Sequence, residues 1–176
     1  EPYHLTILAK NYQGYLNLMK LVSISHLQGY YYRPRVDKDL LRQYHEGLIA
    51  LSGCPSGEFV KNLNVQSMKD ARGVAEQYLQ IFGEGNYYFE LQNHNWLKHA
   101  ENVQDQVIKQ ELERMGKLQD LTFKTVKELS KKIGIPVVAT KDFHYIEKQD
   151  AEAHDAVLCV QTGKLITDTR RLRMID

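Results

Sequence analysis

Asp142 and His144 stand two residues apart at the end of the run Ile135-Pro-Val-Val-Ala-Thr-Lys-Asp-Phe-His-Tyr145. A carboxylate offers hard oxygen and an imidazole borderline nitrogen, so such a pair suits zinc, manganese or iron. The apolar run Pro136 to Ala139 predicts a buried strand. Parallel α/β folds keep their chemistry just past the ends of such strands. Alone, Asp-x-His is a weak pattern, because a turn-forming Asp beside an incidental His produces it too.

Three further groups carry chemistry. Cys54 lies in Ser52-Gly-Cys-Pro-Ser-Gly-Glu58, directly after the apolar run Leu48 to Leu51. In a glycine-flanked turn after a parallel strand it serves as a metal thiolate, a nucleophile or a small buried residue. His94 closes Gln92-Asn-His after the strand-like Tyr87 to Leu91; Asn-His-Asn is equally a good turn. Tyr30, Tyr31 and Tyr32 precede Arg33-Pro34-Arg35. Aromatic rings beside guanidinium groups stack on nucleotides; the plain structural alternative is a loop packed on the next element. His4 precedes its apolar run, so periodicity does not place it with the others.

The elements that must hold these residues alternate. Strands are expected at His4–Ala9, Leu48–Leu51, Tyr87–Leu91 and Pro136–Ala139. Helical spacing runs from Tyr15 to a stop at Gln28-Gly29, and Asp37 and Ser67 read as N-caps of later helices. Gly83 closes one helix, and Trp96 to Lys132 is a long helical stretch that Gly116 is expected to interrupt. Its polar first part reads as a solvated face or a substrate-binding lid. A last helix covers Glu147 to Val160, and Lys164–Asp176, with Arg170, Arg171 and Arg173, reads as a linker or the edge of a neighbouring domain. Alternating strands and helices define an α/β class, with a parallel sheet or barrel inside its helices. Four strands do not close an eight-stranded barrel, so the choice is a doubly wound sheet or part of a larger barrel.

Composition bounds the function. The 176 residues suffice for a sizeable core, and 23 basic against 22 acidic residues argue against a dedicated DNA-wrapping surface. The two cysteines, Cys54 and Cys159, form no CxxC motif and point to a reducing cytoplasm. No apolar run reaches the roughly 18 residues of a membrane span. The start Glu-Pro-Tyr-His has neither the basic nor the apolar part of a signal peptide and lacks Met, as in the middle of a larger protein.

Longer blocks carry a family resemblance. They are His4-Leu-Thr-Ile-Leu-Ala-Lys-Asn11 with Gly14-Tyr-Leu-Asn-Leu18, Glu46-Gly-Leu-Ile-Ala-Leu-Ser-Gly-Cys54 with Gly57-Glu58, and Phe89-Glu-Leu-Gln-Asn-His94. Gly134 to Tyr145, Ala151-Glu-Ala-His-Asp155 and Leu158 to Lys164 continue the match in order. Together they resemble the alpha-subunit family of bacterial replicative DNA polymerase III, in its N-terminal polymerase and histidinol phosphatase (PHP) domain.

The resemblance implies part of a distorted, seven-stranded (β/α) TIM-like barrel, incomplete at its N-terminus, over 1–163, with 164–176 leading toward a polymerase domain. It implies metal ligands at His4, Cys54, Asp142 and His144, holding zinc or manganese, and carries no ligand role to His94. The family's opening His-x-His, its next Asp-His segment and an acidic ligand have no match here, and the stretch 96–132 is longer than in usual members. The polymerase carboxylates, served by magnesium, lie outside the chain. The implied parent is a DNA-directed DNA polymerase acting on DNA in the cytoplasm, with an exonuclease subunit and a sliding clamp as partners and no membrane. Two roles follow for the domain: 3′–5′ exonuclease proofreading, or a non-catalytic scaffold of the replicase. A stand-alone phosphoesterase acting on small phosphate esters is the third. The fragment alone is expected to be inactive.

Overall fold

The computed structural model describes residues 2–168 and 171–174. Arg170, part of the expected basic tail, lies outside the described residues. Four strands and seven α-helices run in the order β1 (Thr6–Ala9), α1 (Tyr12–Leu27), α2 (Lys38–Tyr44), β2 (Leu48–Leu51), α3 (Glu58–Val65), α4 (Met68–Phe82) and β3 (Tyr87–Gln92) among the described residues. They continue with α5 (Trp96–Glu101), α6 (Gln106–Ile133), β4 (Val137–Thr140), a 3-10 turn at Lys148–Asp150 and α7 (Ala151–Thr162). Local signals set the helix starts. Asn11, Asp37 and Ser67 each accept a backbone N–H from three residues on, satisfying a donor the first helical turn leaves open.

The sheet has the order β1-β2-β3-β4. β2 and β3 are parallel, with Ala50 opposite Tyr87. β1 is antiparallel to β2, Thr6 facing Leu51 and Ala9 facing Leu48, so the expectation of a wholly parallel sheet is corrected. The cause lies where α1 begins. Lys10 N–H donates to the Gly47 carbonyl at 2.8 Å, and Asn17 Nδ2 donates to the Glu46 carbonyl at 2.9 Å. The exit of β1 is thereby tied to the entry of β2, which fixes opposite directions.

Two further expectations are corrected. Pro136–Ala139 does not form a buried strand: β4 alternates between exposed and half-buried residues, and Val137 is 42% exposed. It comes last in the order of the sheet, with one neighbouring strand among the described residues, and the buried anchor of this segment is Ile135, just before it. Gly116 does not interrupt a helix, because α6 runs through it. A Cβ at Gly116 would lie 2.5 Å from Leu97 Cγ, so the glycine admits the α5 side chain against the helix backbone. The break falls at residues 102–105, where Asp105 Oδ1 accepts the N–H of Val107 and Ile108.

The chain forms two compact units, Glu1–Leu91 with Leu121–Ala139, and Gln92–Asp120 with Thr140–Asp176. The first has a core of Leu48, Phe59, Tyr87, Phe89, Val126 and Leu129, all essentially without solvent contact. Full burial of such a side chain stabilises the fold by roughly 1.5–3 kcal/mol. The second buries Ala100, Leu112, Leu118 and Leu158. Within it, Arg171 makes a two-pronged ion pair with Asp155 of α7, which holds the Asp155 carboxyl below its usual range.

Tyr87 stacks on Tyr78 with ring centroids 5.5 Å apart. The Tyr78 hydroxyl donates to Glu58 Oε2 at 2.7 Å, whereas the buried Tyr87 hydroxyl is without a hydrogen-bond partner among the described residues. Burial, and then the Glu58 charge, push the ionisation of both tyrosines upward. Below the unfolded tyrosine pKa of about 10 their contribution is complete; above it the unfolded chain releases protons the fold retains, and stability falls. Tyr87→Phe keeps the stack and removes the unmatched hydroxyl. We expect a gain of about 1 kcal/mol near neutral pH and a shallower loss above about pH 10, read from urea midpoints at both conditions.

Candidate metal centre

His4 reaches the Cys54 turn through backbone pairing. It forms a parallel bridge with Gly57, and its backbone N–H donates to the Ser56 carbonyl at 3.1 Å. The turn closes on itself where Gly57 N–H donates to the Cys54 carbonyl at 2.7 Å. Gly53 makes the approach possible: its φ is +86°, and a Cβ there would stand 2.8 Å from the His4 carbonyl oxygen. The result is a thiol and an imidazole in contact, Cys54 Sγ lying 3.4 Å from His4 Nδ1. His4 is exposed and Cys54 half-buried.

A buried carboxylate holds this turn from behind. Glu90 Oε2 accepts Gly53 N–H at 3.1 Å, and Glu90 N–H donates to Ser52 Oγ at 2.9 Å. Glu90 is 6% exposed. No sequence motif marks this residue. The available signal was a lone acid inside the apolar run Tyr-Tyr-Phe-Glu-Leu, a place where a charge survives only with hydrogen-bonded partners. On the next element, Glu58 Oε1 receives Lys38 Nζ at 2.7 Å, which ties the start of α3 to α2.

In the second unit, Asp142 Oδ2 lies 3.4 Å from His144 Nε2, both side chains partly exposed. The His154 ring lies 5.7 Å from that of His144 and 5.4 Å from that of Tyr145. His154 stands in a block that carries the resemblance, yet its sequence surroundings give it no role. His94 stacks on Trp96 at 4.5 Å, and its backbone N–H donates to Gln119 Oε1 at 2.9 Å.

The structure thus joins His4 to Cys54 and Asp142 to His144, the first pair in the first unit and the second pair in the second. Around a tetrahedral zinc, bond lengths of about 2.0–2.3 Å put neighbouring ligand atoms roughly 3.3–3.8 Å apart. Both separations of 3.4 Å fit that spacing, and the first equally fits a hydrogen bond between thiol and imidazole. Among the described residues, no three His, Cys, Asp or Glu side chains form a group that could hold a metal ion. Nor is any helix among them long and apolar enough to cross a membrane.

The PHP domain matches residues 1–94, and the chain belongs to the PHP domain family. Over nearly its whole length it is similar to the DNA polymerase III subunit alpha of several bacteria. It is 38% identical to that of Borreliella burgdorferi, covering 98% of this chain, and 39% identical to that of Treponema pallidum, covering 97%. The protein of the same name from Chlamydia pneumoniae is 41% identical over 93% of this chain. The chain spans 13% of the length of each of these relatives.

Proposed function

We propose that this chain is the part of a replicative polymerase alpha subunit that supplies the later metal ligands of its PHP domain. The ligands are His4, Cys54, Asp142 and His144. The observation that carries the reading is the His4–Cys54 contact at 3.4 Å, built by a glycine turn between residues 50 positions apart. Gly53 and Glu90 position the turn, His4 and Cys54 present nitrogen and sulfur, and Asp142 and His144 add oxygen and nitrogen. When bound, zinc or manganese would lower the pKa of a water and polarise a phosphoryl oxygen, the chemistry of phosphodiester hydrolysis. The whole protein is proposed to polymerise DNA in the cytoplasm, with exonuclease and clamp subunits as partners. Its PHP domain then either excises 3′ ends or supports the polymerase.

Elemental analysis of the purified full-length protein tests the ligand set. Stoichiometric zinc or manganese is expected, lost when Asp142→Asn and His144→Ala are combined and reduced by Cys54→Ala. A full-length protein without metal would overturn this reading and leave the scaffold role. Unchanged metal in Cys54→Ala would remove the thiolate from the set.

A further inference from the structure

The loop between α1 and α2 holds its aromatic rings in water. Tyr30, Tyr31 and Tyr32 are 60%, 64% and 83% exposed, and Arg33 and Arg35 beside them are exposed as well. Neither arginine has an ion-pair partner among the described residues. The nearest acids in the chain are engaged: Asp37 caps α2, and Asp39 pairs with Arg42 at 2.5 Å.

The loop is braced to keep this shape. At its base Gly29 lies against the Arg35 carbonyl, where a Cβ would come within 2.1 Å. Tyr31 N–H donates to the Arg33 carbonyl at 3.1 Å, which turns the tip back on itself. Tyr32, at that tip, has φ of +60°, a left-handed conformation that costs a bulky residue energy. The Tyr31 and Tyr32 rings meet edge to face at 4.6 Å, and the Arg35 guanidinium lies 5.0 Å from the Tyr31 ring centre.

We propose that the Tyr30–Arg35 loop is a binding platform for single-stranded nucleic acid. Exposed rings offer stacking faces that every base can use, and two uncompensated guanidinium groups meet the phosphates between stacked bases. The ring planes differ in direction, one edge against the other's face, which suits bases splayed from a flexible strand rather than a stacked duplex. An acidic peptide would satisfy the arginines and leave the tyrosine faces unused.

The test is fluorescence anisotropy of a labelled oligodeoxythymidine titrated with this chain in EDTA, so that it stands apart from any metal site. Tyr32→Gly is the informative variant, because glycine accepts the left-handed backbone without strain while removing the ring. It is expected to unfold no earlier than the parent and to bind roughly 5- to 150-fold more weakly, the range for loss of one stacked base. Arg33→Gln is expected to flatten the slope of log affinity against log salt by about 0.7, one phosphate contact on a single strand. Absence of binding, or unchanged affinity when both substitutions are combined, would overturn the proposal. So would equal competition by duplex DNA or by polyglutamate, the latter reassigning the loop to acidic peptides.

Discussion

Gly14→Ala is expected to destabilise the chain by about 3 kcal/mol or more, whereas Gly73→Ala should stabilise it by about 0.5–1 kcal/mol. Both glycines lie in helices, and the substitution is the same. At Gly14 the added Cβ would stand 1.8 Å from the Gly47 carbonyl oxygen and 2.5 Å from its carbon. Neither side has room to yield. Gly47 sits at φ of +71°, and its carbonyl already receives Lys10 N–H at 2.8 Å. α1 would have to lift away from the turn that starts β2, breaking the Asn17 bond to the Glu46 carbonyl as well. At Gly73, within α4, an added methyl group would have no neighbouring atom within 4 Å, so alanine there only reduces the freedom of the unfolded chain. Thermal unfolding of the two variants decides the matter: both moving the same way would refute the account.

Phe89→Ala is the second large effect, a loss of about 3–5 kcal/mol. The Phe89 ring is wholly buried, with the Phe59 ring 5.0 Å away and the Tyr87 ring 6.3 Å away. Removing it leaves a void among aromatic neighbours that cannot collapse without tilting β3. The consequence reaches the candidate site, because the next residue, Glu90, holds Gly53 N–H and meets Ser52 Oγ. A urea titration should show a lower midpoint with an unchanged slope. Under native conditions, Cys54 should react faster with a thiol reagent as the turn loosens. Loss of less than about 1 kcal/mol would mean that the core closes around the gap.

The features legible in the residues are those that short-range chemistry controls. Asn11, Asp37 and Ser67 cap helices because each side chain reaches an N–H three residues away, whatever the rest of the chain does. Gly83 takes φ of +80° at the end of α4 for an equally local reason. The alternation of strands and helices followed from hydrophobic periodicity, and the α/β class from the alternation.

Strand direction, burial and close approach were not legible. The run Pro136–Ala139 looks like an interior strand, but only the sheet order reveals that β4 has one neighbour among the described residues. Gly116 looks like a helix break until Leu97 is seen against it. The resemblance named His4, Cys54, Asp142 and His144; what folding adds is the contact between the first two and the buried acid behind it.

Local chemistry settles the set of elements, their caps and the kinds of donor atom on the loops. Tertiary structure alone decided that β1 runs against β2, that Gly53 lets His4 lie over the Cys54 turn, and that Glu90 holds that turn. The physical reason is range. A cap or a periodic face is settled within a few residues, but a 3.4 Å contact between residues 50 apart depends on every packed atom between them.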